Sequence, residues 1–202
     1  MSKPVLLLFA TLVLANAQPA ANSLVNLTGR WRSVETSQGG IGAVYQFHAN
    51  GTLDFSPGAI VDMPYRVEGD QLILPPGTTN GPEIKSKLTV SGDLLRLAVE
   101  GHVSEYHRRG TVPDPHNLLL GEWLGSREMD GRQMIEQMFF YPGGKSLLVI
   151  LFTTQRGIYS TSGGRLVATF GGRTGLNGPF DISDGVLSIH RSGGRVTKLA
   201  RY

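Results

Sequence analysis

The feature that most constrains this chain is a short motif that occurs twice. Gly29-Arg30-Trp31 returns as Gly121-Glu122-Trp123, and the two motifs hold the only tryptophans among the 202 residues. A spacing that holds over the whole chain predicts a tandem duplication, with a first repeat at residues 27–109, a linker at 110–117 and a second repeat at 118–202. Beyond the motifs, the matching positions stay 92 to 94 residues apart for Phe47 and Phe140, Tyr65 and Tyr159, and Leu88 and Phe180.

Both repeats have the pattern of short antiparallel strands. Apolar and polar residues alternate in short runs such as 43–48, and Gly-rich turns separate the runs. Asn50-Gly51 predicts a tight hairpin because both residues tolerate a positive φ, and Pro57-Gly58 is expected to end the strand that follows. Helical spacing does not persist anywhere. The fold class is therefore predicted as all-β: two tandem small antiparallel β-barrels, or alternatively one combined barrel or sandwich.

One predicted strand breaks the alternation. Residues 147–152 are apolar at every position, so the strand should be buried on both faces. We expect its outer face to pack against the first repeat and to join the two barrels.

The N-terminal residues have the pattern of an export signal. Lys3 precedes an apolar run from Val5 to Leu14, and Ala15-Asn16-Ala17 matches a small-residue cleavage site. The run is shorter than the roughly 20 residues of a membrane-spanning helix. Residues 1–17 are therefore predicted to be a signal peptide, cleaved after Ala17, and the mature protein to be secreted or periplasmic without a membrane span.

Composition disfavours several classes of function. The net charge is only +3 and no run of Lys or Arg is present, which argues against a nucleic-acid partner. The chain has no cysteine, so disulfides do not stabilise it. Residues 121–202 carry more basic than acidic side chains, and the favoured interpretation is an ordinary solvated surface. The sequence identifies no protein partner.

The residues that carry chemistry do not converge in the sequence. The histidines have no metal-binding spacing, the carboxylates do not cluster, with Asp70 and Asp93 in Gly-Asp turns, and no serine lies in a nucleophile motif. We therefore predict no catalytic residues, no metal and no cofactor, and a non-catalytic protein. Three Gly-Gly-Arg sequences, which end at Arg165, Arg173 and Arg195, could hold an anion with backbone N–H groups and a guanidinium. Hairpin turns need these glycines in any case, and the turn interpretation is favoured.

The Gly-x-Trp motif, the evenly spaced hairpins and an arginine near the end of the last strand resemble the lipocalin-like (calycin) β-barrels, and most closely the short lipocalin-like domains of bacterial exported proteins. In that family an arginine stacks on the tryptophan and closes one end of the barrel. The resemblance implies barrel-closing roles, with Trp31 paired to Arg108 or Arg109 and Trp123 paired to Arg201. The set of barrel-closing residues is Gly29, Trp31, Arg108, Gly121, Trp123 and Arg201.

The same resemblance implies that the protein binds a small apolar or amphipathic ligand inside a barrel. Aromatic residues at strand spacing are more often core residues than ligand contacts, but they are the natural lining of a pocket. The expected ligand-binding residues are Tyr45, Phe47, Tyr65, Phe140 and Tyr159. The alternative is a structural or protein-interaction module of the cell envelope whose barrels are filled by their own side chains.

Overall fold

The computed structural model describes residues 27–76 and 81–202, so the predicted signal peptide lies outside the described residues. Almost all of the regular structure is β-strand. The strands of the first half are β1 (Gly29–Ser33), β2 (Ile41–Phe47), β3 (Thr52–Pro64), β4 (Arg66–Glu68), β5 (Gln71–Leu74), β6 (Ile84–Ser91), β7 (Leu94–Val99) and β8 (His102–Arg109). Those of the second half are β9 (Gly121–Met129), β10 (Arg132–Tyr141), β11 (Lys145–Leu151), β12 (Gln155–Ser162), β13 (Arg165–Phe170), β14 (Arg173–Ser183), β15 (Val186–His190) and β16 (Val196–Arg201).

The strands form two barrels, and each barrel takes strands from both halves of the chain. In barrel 1, strands β12 to β16 continue into β1, β2 and β3, and β3 pairs with β12 to close an eight-stranded antiparallel ring. Barrel 2 contains the row from β11 back through β10 and β9 to β8 and on to β4. Strand β3 pairs with β11 at one end of this row and continues into β4 at the other end. The row therefore closes into a ring through β3 and β4. The all-β prediction is confirmed, but the barrels do not follow the boundaries of the predicted repeats.

This exchange of strands between the barrels results from the path of β3 and of its neighbours β11 and β12. Only Tyr65 separates β3 from β4, and a single residue cannot reverse the chain, because even the tightest common hairpin needs two. The chain therefore continues straight from barrel 1 into barrel 2. Beside it, β11 pairs with the second part of β3 and β12 with the first part, so the second half crosses in the opposite direction.

The prediction that Pro57-Gly58 ends a strand is wrong. Strand β3 continues through both residues to Pro64. The Pro57 carbonyl accepts a hydrogen bond from the Phe152 N–H at 3.0 Å, so the strand stays paired with the second half of the chain at the proline. At Gly58, a Cβ atom would lie 2.3 Å from the Ile150 carbonyl oxygen. These two residues therefore allow the close approach of the two crossing strands rather than a turn.

The predicted pairing of tryptophans and arginines is also wrong. Arg201 lies over the ring of Trp31 at 4.4 Å, and Arg108 lies over the ring of Trp123 at 4.1 Å. Each tryptophan is fully buried and stacks with an arginine of the other half. The exchange follows from the topology, because β1 pairs with β16 and β9 pairs with β8. Arg109 approaches the Glu122 carboxylate at 3.8 Å instead.

The glycine of each Gly-x-Trp motif makes room for the stacked arginine. Gly29 has a φ of +125° and Gly121 a φ of +115°, values that favour glycine. A Cβ atom on Gly29 would lie 2.7 Å from Nη1 of Arg201, and one on Gly121 would lie 3.1 Å from Nη1 of Arg108. The glycine stands two residues before the tryptophan because the arginine passes close to the glycine on its way to the tryptophan ring.

Three apolar clusters hold the molecule together. One fills barrel 1 around Trp31 and one fills barrel 2 around Trp123. The third lies between the barrels and joins both halves of the chain through Val44, Ile60, Phe139, Leu147 and Val149. Strand β11 is buried on both faces, because its remaining apolar residues contact barrel 2 or the same cluster. The prediction of burial on both faces is confirmed for residues 147–151, whereas Phe152 lies beyond the end of β11 and is 36% exposed.

The cluster between the barrels predicts a large effect of a charge at its centre. Val149 has no exposed surface, so Val149→Lys should lower the free energy of unfolding by about 3 kcal/mol or more, since the ammonium group has no partner there. The matched control is Ile158→Lys, because Ile158 is 64% exposed and its substitution should change stability by less than about 0.5 kcal/mol. Urea denaturation measures both, and equal stability of the two variants would contradict the packing described.

Candidate functional site

Four of the five aromatic residues predicted to bind a ligand, Phe47, Tyr65, Phe140 and Tyr159, pack at the tryptophan ends of the barrels. Phe47 lies opposite Gly29, and its ring contacts Tyr159 edge to face at 4.9 Å. The same arrangement occurs in barrel 2, where Phe140 lies opposite Gly121 and contacts Tyr65 at 5.0 Å. The structure therefore divides these residues between two cores.

Hydrogen bonds hold the tyrosines of these pairs in place. The Tyr159 hydroxyl donates to the His48 carbonyl at 2.8 Å, and the Tyr65 hydroxyl donates to the Tyr141 carbonyl at 3.2 Å. Burial raises the pKa of both phenols, which keeps them protonated as donors. These contacts close the ends of the barrels. The predicted aromatic residues therefore do not surround one common ligand cavity.

A cavity of about 480 Å³ lies at the opposite end of barrel 2, and we refer to it as the cup. Strand β8 connects the two ends of the barrel. Its residues His102, Ser104 and Tyr106 line the cup, and Arg108 stacks on Trp123. The cup is largely apolar, and none of the five predicted aromatic residues lines it. Its lining residues are Val61, Met63, Leu74, Pro75, Pro76, Ile84, Ser86, Leu97, Val99, His102, Ser104, Tyr106, Arg127, Glu136, Met138 and Leu148.

One polar group of three side chains interrupts this apolar lining. Glu136 is 2% exposed, and its carboxylate accepts two hydrogen bonds at 3.0 Å from Nε and Nη2 of Arg127. The Tyr106 hydroxyl donates to the same carboxylate at 3.1 Å. Both carboxylate oxygens are satisfied, as a buried charge requires.

The charges of this group stabilise each other. Burial raises the pKa of Tyr106, and the neighbouring Glu136 carboxylate raises it further, so the phenol remains a donor. Burial by itself would lower the pKa of Arg127, but the attraction of Glu136 outweighs burial and leaves this pKa raised. Arg127 is half-exposed, so the positive charge of the pair lies at the mouth of the cup.

Sequence reasoning missed these three residues although a signal was present. Glu136 lies in the run Ile135 to Phe140, where a carboxylate among apolar residues of a strand indicates a buried charge with a partner. Residue spacing along the chain does not reveal that partner, because Arg127 is on the adjacent strand β9. Tyr106 comes from the other half of the chain.

The corresponding end of barrel 1 is filled. Tyr45 stands two residues before Phe47, as Met138 stands two before Phe140, but Tyr45 contacts Phe55 at 5.1 Å. Phe55 in turn contacts Phe170 at 5.3 Å. These three rings occupy the space that the cup leaves open in barrel 2, and Ala43 stands in place of the carboxylate of Glu136.

Other kinds of site find little support. Within residues 27–76 and 81–202, no three His, Cys, Asp or Glu side chains come close enough together to hold a metal ion. The same part of the chain contains no helix with the length and apolar character of a membrane span. The cup is therefore the strongest candidate functional site.

The unequal exposure of the ion pair predicts unequal effects of its removal. In Arg127→Met the carboxylate of Glu136 stays buried without a cation, so the free energy of unfolding should fall by about 3 kcal/mol. In Glu136→Gln the guanidinium of Arg127 can turn into solvent, and the loss should be about 1 kcal/mol. Urea denaturation at neutral pH compares the two. A larger loss for Glu136→Gln would contradict the burial of this carboxylate.

The overall architecture agrees with the resemblance found in the sequence at the level of fold. The closed antiparallel ring of eight strands in barrel 1 is consistent with a calycin-like barrel. Comparison with protein-family models, with curated proteins and with solved structures finds no match to this chain.

Proposed function

We propose that this is an exported, lipocalin-like protein that arose by tandem duplication and binds a small apolar or amphipathic ligand in the cup of barrel 2, without catalysis. The observation that carries this proposal is the cup itself: about 480 Å³, within the range of about 300–1,000 Å³ of small-molecule sites. Leu, Ile, Val, Met and Pro supply ten of its sixteen lining residues. Burial of apolar ligand surface against them provides the driving force for binding.

The ion pair at the mouth supports an amphipathic ligand in particular. Arg127 binds Glu136 through Nε and Nη2 and its side chain is half-exposed, so the guanidinium can also meet a polar ligand group. His102 and Ser104 line the same cavity and offer further hydrogen bonds. An apolar body among Leu97, Met138 and their neighbours, with a polar group beside Arg127, would match the arrangement.

A structural role is the second candidate, and the filled end of barrel 1 favours it. The rings of Tyr45, Phe55 and Phe170 leave that barrel without a comparable cup. Under this alternative the exposed apolar side chains would contact another protein, and Ile158 and Val103 are the most exposed of them. The two candidates differ in whether barrel 2 takes up an apolar molecule.

Titration with the neutral dye N-phenyl-1-naphthylamine tests the proposal. We expect saturable fluorescence enhancement with micromolar affinity. Ser104→Trp places an indole in the cup and should weaken binding at least about tenfold. Val103→Trp adds the same bulk to the next residue of β8, which is 59% exposed and does not line the cup, and this control should bind as the unmodified protein does.

Native mass spectrometry of protein purified from its own host adds an independent readout. Extra mass that disappears on mild unfolding would identify the natural ligand. Protein without extra mass, together with no uptake of the dye, would refute the binding proposal and favour the structural role.

A further inference from the structure

A second hollow, on barrel 1, is lined by three arginines. Its volume is about 500 Å³. Arg165 comes from the start of β13, and Arg191 and Arg195 stand on either side of the short turn Ser192–Gly194. Two of the three Gly-Gly-Arg sequences thus contribute to one place, while Arg173 of the third does not line the hollow. The other lining residues are Thr174, Gly175, Asn177, Ser192 and Gly193.

No carboxylate neutralises these three guanidinium groups. None of the lining residues is acidic, and within the described part of the chain none of the three arginines has an Asp or Glu oxygen within 4 Å. Elsewhere, arginines of this protein commonly have such a partner, as Arg30 has in Glu122 and Arg156 has in Asp54. Like charges around one hollow repel each other, and a bound anion would relieve that repulsion.

Neutral hydrogen bonds hold the positions of these arginines. Nε of Arg165 donates to the Asn177 side-chain oxygen at 2.9 Å, and Nη2 of Arg191 donates to the Gly175 carbonyl. The Arg191 N–H donates to the Arg195 carbonyl at 2.7 Å, which closes the turn between them. These contacts orient the guanidinium groups of Arg165 and Arg191 without cancelling their charge, and the closed turn places Arg195 beside the same hollow, so the arrangement is partly organised for an anion.

We propose that this hollow binds the phosphate group of a phosphate monoester. A monoester phosphate carries about 1.5 to 2 negative charges at neutral pH and three terminal oxygens, which match three guanidinium donors. The volume of the hollow also leaves room for part of the molecule that bears the phosphate. The hollow is separate from the cup, so it would bind a different ligand from the one proposed for barrel 2.

Calorimetric titration of the full-length mature protein with inorganic phosphate and with glycerol 3-phosphate tests this proposal. We expect saturable one-to-one binding. Arg195→Ala removes an exposed side chain that makes no hydrogen bond in the structure, and it should weaken binding at least about tenfold. Arg173→Ala removes an equal charge from a neighbouring Gly-Gly-Arg turn and should change the affinity less than about twofold.

Vesicles of phosphatidylcholine with and without phosphatidic acid distinguish the source of the phosphate. Binding of the soluble esters indicates a free metabolite, whereas binding only to vesicles that contain phosphatidic acid, with the same response to Arg195→Ala, indicates a lipid headgroup. Absence of saturable binding to any of these probes would overturn the proposal. Equal losses in Arg195→Ala and Arg173→Ala would also overturn it, because they would indicate a diffuse cationic surface.

Discussion

The pairing of the long strand β3 with both β11 and β12 is the constraint on which the rest of the structure depends. Strand β3 runs into β4 with only Tyr65 between them, and β11 with β12 runs beside it in the opposite direction. Each half of the chain therefore starts one barrel and finishes the other. The exchanged tryptophan–arginine stacks and the apolar cluster between the barrels follow from this crossing. Neither half contains a complete barrel, so we expect the protein to fold as one cooperative unit.

Local features of this fold were predictable from the sequence, but the exchange was not. Alternation and turn residues predicted the hairpins around Asn50-Gly51 and Gly163-Gly164, because strand period and turn chemistry act over a few residues. The two halves offer nearly the same partners to each other, since Arg108 and Arg201 both stand near the end of the last strand of their half. Only the short connection at Tyr65 decides between them, and Pro57-Gly58 obscured it by resembling the end of a strand. The cup was missed for a related reason: Arg127 and Glu136 stand on adjacent strands of one hairpin, Tyr106 comes from the other half of the chain, and the three meet only through strand pairing.

The two barrels share their closed ends and differ at the opposite ends. Both have a glycine, a buried tryptophan and a stacked arginine with the same geometry. At the other end, aromatic rings fill barrel 1, whereas barrel 2 keeps a cup with a buried ion pair. The proposed functions follow this difference, with an apolar or amphipathic ligand inside barrel 2 and a phosphate group on the outside of barrel 1. The two barrels thus have the same closed end and different interiors. We expect this pattern when the closed end serves stability and the interior serves binding.

Disulfide trapping in the cysteine-free chain tests the strand exchange most directly. Arg32 lies opposite Ala200 in the pairing of β1 with β16, and residues opposed in this way are about 4.5–5.5 Å apart at Cα, within reach of a disulfide. The comparison variant is Arg32→Cys with His107→Cys, because His107 precedes Arg108 as Ala200 precedes Arg201, and the two would be opposed if each half formed its own barrel. Oxidation of the monomer, followed by mass spectrometry of peptides, should show the disulfide in Arg32→Cys with Ala200→Cys and not in the comparison variant. A disulfide between positions 32 and 107, with none between 32 and 200, would contradict the exchanged fold.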